Sequence, residues 1–100
     1  MKAFLKIERC GEVFSVRSEK TEQGTISKRV VVLSDWCGRY PDRYVAVMLG
    51  AVAEADVCTD DIIYGELRFQ THDHNEQTYQ DITLVNFVKL GNEGNSSVNN

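Results

Sequence analysis

Apolar residues in this sequence fall in short β-branched or alternating runs, and only one stretch of eight residues reads as helix, which confines the chain to β-rich architectures. The first run extends from Ala3 to Arg17. Gly11 interrupts it and the apolar residues resume at Val13, Phe14 and Val16, so a bend is expected there. The second, Ile26 to Asp35, contains Val30, Val31, Val32 and Leu33; the third, Tyr44 to Leu49, is short and apolar. In the fourth, Ile63 to Gln70, the residues Ile63, Leu67 and Phe69 alternate with Tyr64, Glu66, Arg68 and Gln70, the period of a half-buried strand. The fifth, Thr78 to Leu90, changes apolar parity between Leu84 and Val85, which predicts a bulge.

Gly50 to Val57, between the third and fourth runs, holds three alanines and reads as the single helix, too short to stand without a packing surface. Polar connections are expected at Ser18–Thr25, Trp36–Asp42, Cys58–Asp61 and Thr71–Gln77. Residues 1–90 then form one domain, and 91–100, made almost wholly of Gly, Asn and Ser, a flexible tail. Five strands with one short helix between the third and fourth is the element order of an OB-fold, a five-stranded Greek-key barrel, so an all-β chain of that architecture is expected.

The 100 residues suffice for one small core. Three cysteines, Cys10, Cys37 and Cys58, leave one unpaired under any internal disulfide scheme and share no CxxC spacing, which fits a reducing compartment. The longest uncharged stretch, Tyr44 to Ala53, is about half a membrane span. With no signal-peptide core in the first residues, a cytoplasmic location and no membrane partner are expected. The net charge of −4 argues against a strongly basic duplex-DNA binder, yet it divides unevenly: residues 1–50 carry +3 and residues 51–100 carry −7. Such a chain can present a local positive face, because charges farther apart than about 8–10 Å are screened, or it can present two complementary surfaces of an oligomer.

Trp36, Cys37, Gly38, Arg39, Tyr40, Pro41, Asp42, Arg43 and Tyr44 interleave aromatic and cationic side chains at the junction of the second and third strands. Single-stranded nucleic acid is held by flat side chains that stack on bases and by cations that follow phosphates, and this segment supplies both. A structural role, with Trp36 covering one end of the barrel, is the competing use of the same residues. Tyr64 and Arg68 share a strand face and extend the candidate surface. Lys28 and Arg29 are neighbours on a strand, so only one of them can serve it, and Arg29 joins the candidate set. The connections Ser18–Thr25 and Thr71–Gln77 are net acidic and would repel phosphate. His72, Asp73 and His74 lack further ligands at metal-site spacing, and no nucleophile with a base and no Gly-rich phosphate loop occurs. No metal, no cofactor and no enzymatic activity are therefore expected.

The run from Tyr44 to Glu54 resembles the third strand, glycine and alanine-containing helix start of the bacterial single-stranded DNA-binding protein family, including its small primosomal relatives. Ile62 to Arg68, with its Gly-x-Leu-Arg, is similar to that family's fourth strand, and Thr78 to Ile82 to the close of the following hairpin. The likeness covers roughly residues 43–90. It implies an OB-fold that binds single-stranded DNA or RNA by stacking and basic contacts, without strong sequence preference, in DNA replication or repair, as a homo-oligomer (dimer or tetramer). The family's acidic, hydrophobic terminal tip has no counterpart before Val98, Asn99 and Asn100, so recruitment of partners by that route is not expected. The residues expected to hold the strand are Trp36, Tyr40, Tyr44 and Tyr64 for bases and Arg29, Arg39, Arg43 and Arg68 for phosphates. The alternative is a non-catalytic OB-fold interaction module that self-associates and binds no DNA.

Overall fold

The computed structural model describes residues 1–36 and 39–92. Six strands account for most of them: β1 (Lys2–Cys10), β2 (Phe14–Arg17), β3 (Thr25–Asp35), β4 (Arg43–Leu49), β5 (Asp61–His74) and β6 (Gln77–Asn92). They form one sheet in the order β1-β5-β6-β4-β3-β2, and β3 also pairs with β1, so five of them close into a ring. Alternation sends Leu5 and Ile7, Val31 and Leu33, Ala46 and Met48, Ile63, Leu67 and Leu84 into its centre, where each is essentially inaccessible to water. Each of these except Ala46 contributes roughly 1.5–3 kcal/mol on burial. Among the described residues, no helix is long and apolar enough to cross a membrane.

The expected bend at Gly11 is present and divides the first run into β1 and β2. Both lie against β3, β1 along Val31–Asp35 and β2 along Thr25–Lys28. Gly11 donates its N–H to the Val30 carbonyl at 2.9 Å, and a Cβ there would stand only 2.9 Å from that oxygen, so no side chain fits at the corner. The bulge predicted near Leu84 is also found: Glu66 faces Asn86 and Leu67 faces Leu84, which leaves Val85 as the extra residue. A second lies at Leu90, between the pairs Ile62–Gly91 and Ile63–Lys89, and a third at Glu8 in β1.

Two expectations are corrected. The segment Gly50–Val57 is a succession of turns rather than a helix, with the N–H groups of Ala53, Glu54 and Ala55 donating to the carbonyls of Gly50, Ala51 and Val52 at 3.0–3.2 Å. Gly50 enters it at φ 65°, outside the right-handed helical region, and eight residues give too few hydrogen bonds to offset helix nucleation. The tight turns deliver Ala53 and Val57 to the core. Thr71–Gln77 is likewise no loop: β5 and β6 continue to the pair His74–Gln77, joined by Asn75 and Glu76 at φ 53° and 66°, the signature of a two-residue type I′ turn. Of the expected tail 91–100, Gly91 and Asn92 continue β6, and 93–100 lie outside the described residues, as do Cys37 and Gly38.

Among the described residues, Ser34 and the carboxylate of Asp61 are the buried polar groups. Asp61 is fully buried and accepts hydrogen bonds from the Cys58 N–H (2.8 Å), the Asn92 amide (2.8 Å) and the Cys58 thiol (3.6 Å), with the Lys89 ammonium at 3.4 Å. Burial opposes ionisation, but these donors outweigh it and hold the carboxyl below its usual range. A lowered folded-state value means a contribution to stability that is complete above the unfolded value, near 4, and is lost as pH falls through the folded one. Asp61→Asn should therefore lower unfolding free energy by about 2–4 kcal/mol at neutral pH. In urea titrations, its deficit against the unsubstituted chain should shrink as pH drops below about 4.

Candidate nucleic-acid interface

Antiparallel pairing places residues directly opposite one another on the same face of the sheet. Phe4 of β1 faces Tyr64 of β5, and Tyr64 faces Val88 of β6. Leu5 faces Asp35 at the end of β3, and the next residue, Trp36, donates its N–H to the Phe4 carbonyl at 3.1 Å, continuing that register. Trp36, Phe4, Tyr64 and Val88 thus follow one another across four neighbouring strands. Their neighbours Leu5 and Ile63 point inward and are buried, whereas these four are 49%, 48%, 39% and 63% exposed. The Phe4 and Tyr64 rings lie 4.8 Å apart at 52°, within the range of favourable aromatic pairing.

Charged residues line this row. Lys2 pairs with Glu66 on one side and Lys6 with Ile62 on the other. Arg68 lies on the same face as Tyr64, as the alternation required, and is exposed. Arg43, exposed at the start of β4, is 3.3 Å from Glu8. The Glu8 carboxyl is held below its ordinary value by a hydrogen bond from Ser34, against the effect of burial, with Arg43 and Lys6 adding to the lowering. Glu8 is therefore ionised at neutral pH and offsets part of this local positive charge. Arg39 and Tyr40 stand in solvent in the β3–β4 connection, Tyr40 at 85% exposure. That connection is closed by the Asp35 N–H to the Asp42 carbonyl at 3.0 Å and by the Asp42 N–H to Asp35 Oδ2 at 3.2 Å.

Two of the expected residues are placed elsewhere. Tyr44 sits on the inner side of β4, packed against the core, edge-on to Phe69 at 6.3 Å, with its hydroxyl 3.5 Å from Asp35 Oδ1. Burial and then the carboxylates of Asp35 and Asp42 raise its hydroxyl above the usual tyrosine value. Arg29 also turns away from the outer face: its Nε donates to the Gly11 carbonyl at 3.0 Å and its Nη1 to the Ala55 carbonyl at 3.3 Å. It ties the corner between β1 and β2 to the turns after β4. Its neighbour Lys28 takes the opposite face, as adjacent strand residues must.

Phe4 is the residue that sequence reasoning missed. Its signal was available in the alternation of Phe4 and Lys6 with the buried Leu5 and Ile7, but nothing local linked it to Tyr64. His72 and His74 share a face of the β5–β6 hairpin, where His72 stands 3.0 Å from Asp81 and stacks on Tyr79 at 5.4 Å. Burial raises the thiols of Cys10 and Cys58 above their ordinary value, with Asp61 adding to the effect, so neither is an activated nucleophile at neutral pH.

Comparisons with protein-family models, with curated proteins and with solved structures find no match to this chain. Arg29→Ala should cost about 1–3 kcal/mol in chemical denaturation, the range for lost charge-assisted hydrogen bonds to backbone, while leaving any nucleic-acid affinity of the folded protein within about twofold. A large affinity loss at unchanged stability would return Arg29 to the binding surface.

Proposed function

We propose that the ring is an OB-type barrel and that its outer row, Trp36, Phe4 and Tyr64, is a stacking platform for single-stranded DNA, with Lys2, Lys6, Arg39, Arg43 and Arg68 as phosphate contacts. The observation that carries this reading is the cross-strand alignment of three half-exposed aromatic side chains with lysines and arginines beside them. Cores bury such rings. A surface that keeps three of them wet in one line suits a ligand made of flat bases joined by negative charges, with stacking worth about 1–3 kcal/mol per base. The ring order and the Gly-x-Leu-Arg segment in β5 agree with the resemblance to bacterial single-stranded DNA-binding proteins. A cytoplasmic role on strands exposed during replication or repair follows from that resemblance, without catalysis or cofactor. Contacts of this kind read no base edges and give little sequence preference.

Trp36 is the chain's single tryptophan, so its emission reports the platform directly. Titration with oligo-dT should quench it. Phe4→Ala combined with Tyr64→Ala should weaken binding about 10- to 100-fold while the far-ultraviolet circular dichroism stays unchanged. The logarithm of affinity should fall with the logarithm of salt at about −0.7 for each phosphate contact. No quenching at tens of micromolar protein would overturn the reading in favour of an interaction module that binds no DNA.

A further inference from the structure

Two surfaces have no part in the stacking platform. The first is the distal half of the β5–β6 hairpin. From Phe69–Ile82 to His74–Gln77, six cross-strand pairs run past the last β1 and β4 partners, about 20 Å of ribbon, and every side chain from Arg68 to Asp81 is exposed. The molecule is correspondingly long, 51 Å against 19 Å in its thinnest direction. A two-stranded ribbon wet on both faces is marginal by itself. This one is stiffened by Thr78 on Asp73 (2.6 Å), by the Tyr79 hydroxyl on Gln77 (2.6 Å) and by the Asp81–His72–Tyr79 contacts, with Phe69 at its base against Tyr44. Residues 70–81 carry three acidic and no lysine or arginine side chains.

The second is the outer face of β3 and β4. Their inner residues Val31, Leu33, Ala46 and Met48 fill the core, so the outward positions should be polar. They are valines instead: Val30 faces Val47 and Val32 faces Val45, with Leu49 beside them and Val45 63% exposed. The cations on this face outside the platform's phosphate contacts are Arg9 opposite Val32 and Lys28 opposite Leu49, while Arg43 at its edge is paired with Glu8.

We propose that the acidic β5–β6 arm of a second copy lies across the Val30–Val32–Val45–Val47 face of β3 and β4, and that a twofold axis repeats the contact reciprocally. The arm brings the charge opposite to that of the face. Its Tyr79, 43% exposed, provides apolar area to meet the valines. The chain's own arm cannot serve, since it leaves the ring beyond the β4–β6 pair Val47–Thr83 and stays exposed throughout. Reciprocity also closes the assembly and doubles the buried area, toward the roughly 1,600 Å² typical of stable complexes.

Sedimentation equilibrium on the full chain tests this. The unsubstituted protein should be a dimer that weakens as salt rises. Val45→Asp, the arm variant Glu76→Lys/Asp81→Lys and the face variant Arg9→Glu/Lys28→Glu should each raise the dimer dissociation constant at least about tenfold, with circular dichroism unchanged. Mixing the arm and face variants should restore dimers, because each then meets its complementary charge twice. A monomer at about 100 µM unsubstituted protein, a dimer insensitive to either set of substitutions, or a mixture that stays monomeric would each overturn the proposal. The substitutions lie outside Trp36, Phe4 and Tyr64, so the result is separable from that of the oligo-dT titration.

Discussion

β3 hydrogen-bonds along both of its edges, and the rest of the fold depends on that double pairing. One edge takes β4 from Lys28 to Ser34; the other takes β2 up to Lys28 and then β1 from Val31 to Asp35. The second partnership closes the ring, because β1 also pairs with β5. It is possible only where the chain turns its corner at Gly11 without a Cβ, 2.9 Å from the Val30 oxygen, with Arg29 fastening the Gly11 carbonyl from below. Loss of the corner would open the ring on the side where Leu5, Ile7, Val31 and Leu33 meet.

The same closure creates the candidate interface. Because β1 lies between β3 and β5, Phe4 is brought beside both Trp36 and Tyr64, and the outward phase of three strands becomes one aromatic line. The bulge at Glu8 sets the neighbouring charges, since the extra residue carries its carboxylate to Ser34 and Arg43. At the other end of the ring, the bulges at Val85 and Leu90 rephase β6. Leu84, Phe87 and Lys89 then fall opposite Leu67, Gly65 and Ile63 on the inner side, and Lys89 reaches Asp61.

How much was legible in the sequence varied with the range of the interaction involved. The five strand runs, the break at Gly11 and the bulge beside Leu84 were readable because each is a local matter of alternation or of a missing side chain. The helix at Gly50–Val57 was misread because alanine content measures propensity, whereas Gly50 at φ 65° and the demand for Ala53 and Val57 in the core decided for turns. The β5–β6 arm was invisible to a hydrophobic period, as a ribbon wet on both faces has none. At the interface, the shared face of Tyr64 and Arg68 followed from alternation, while Tyr44 and Arg29, counted among the residues expected to hold the strand, are turned inward by the structure.

The sequence by itself determined a β-rich chain of one core, where its strands run and where they break, and the presence of exposed aromatic and basic side chains. Those follow from backbone sterics and from a side-chain period of two, which act over neighbouring residues. Only the tertiary structure decided which of those side chains share a surface. Phe4, Trp36 and Tyr64 are remote in the chain and meet through strand register, and register is fixed by how the whole inner face packs, since a slip of one residue would expose the core and bury the row.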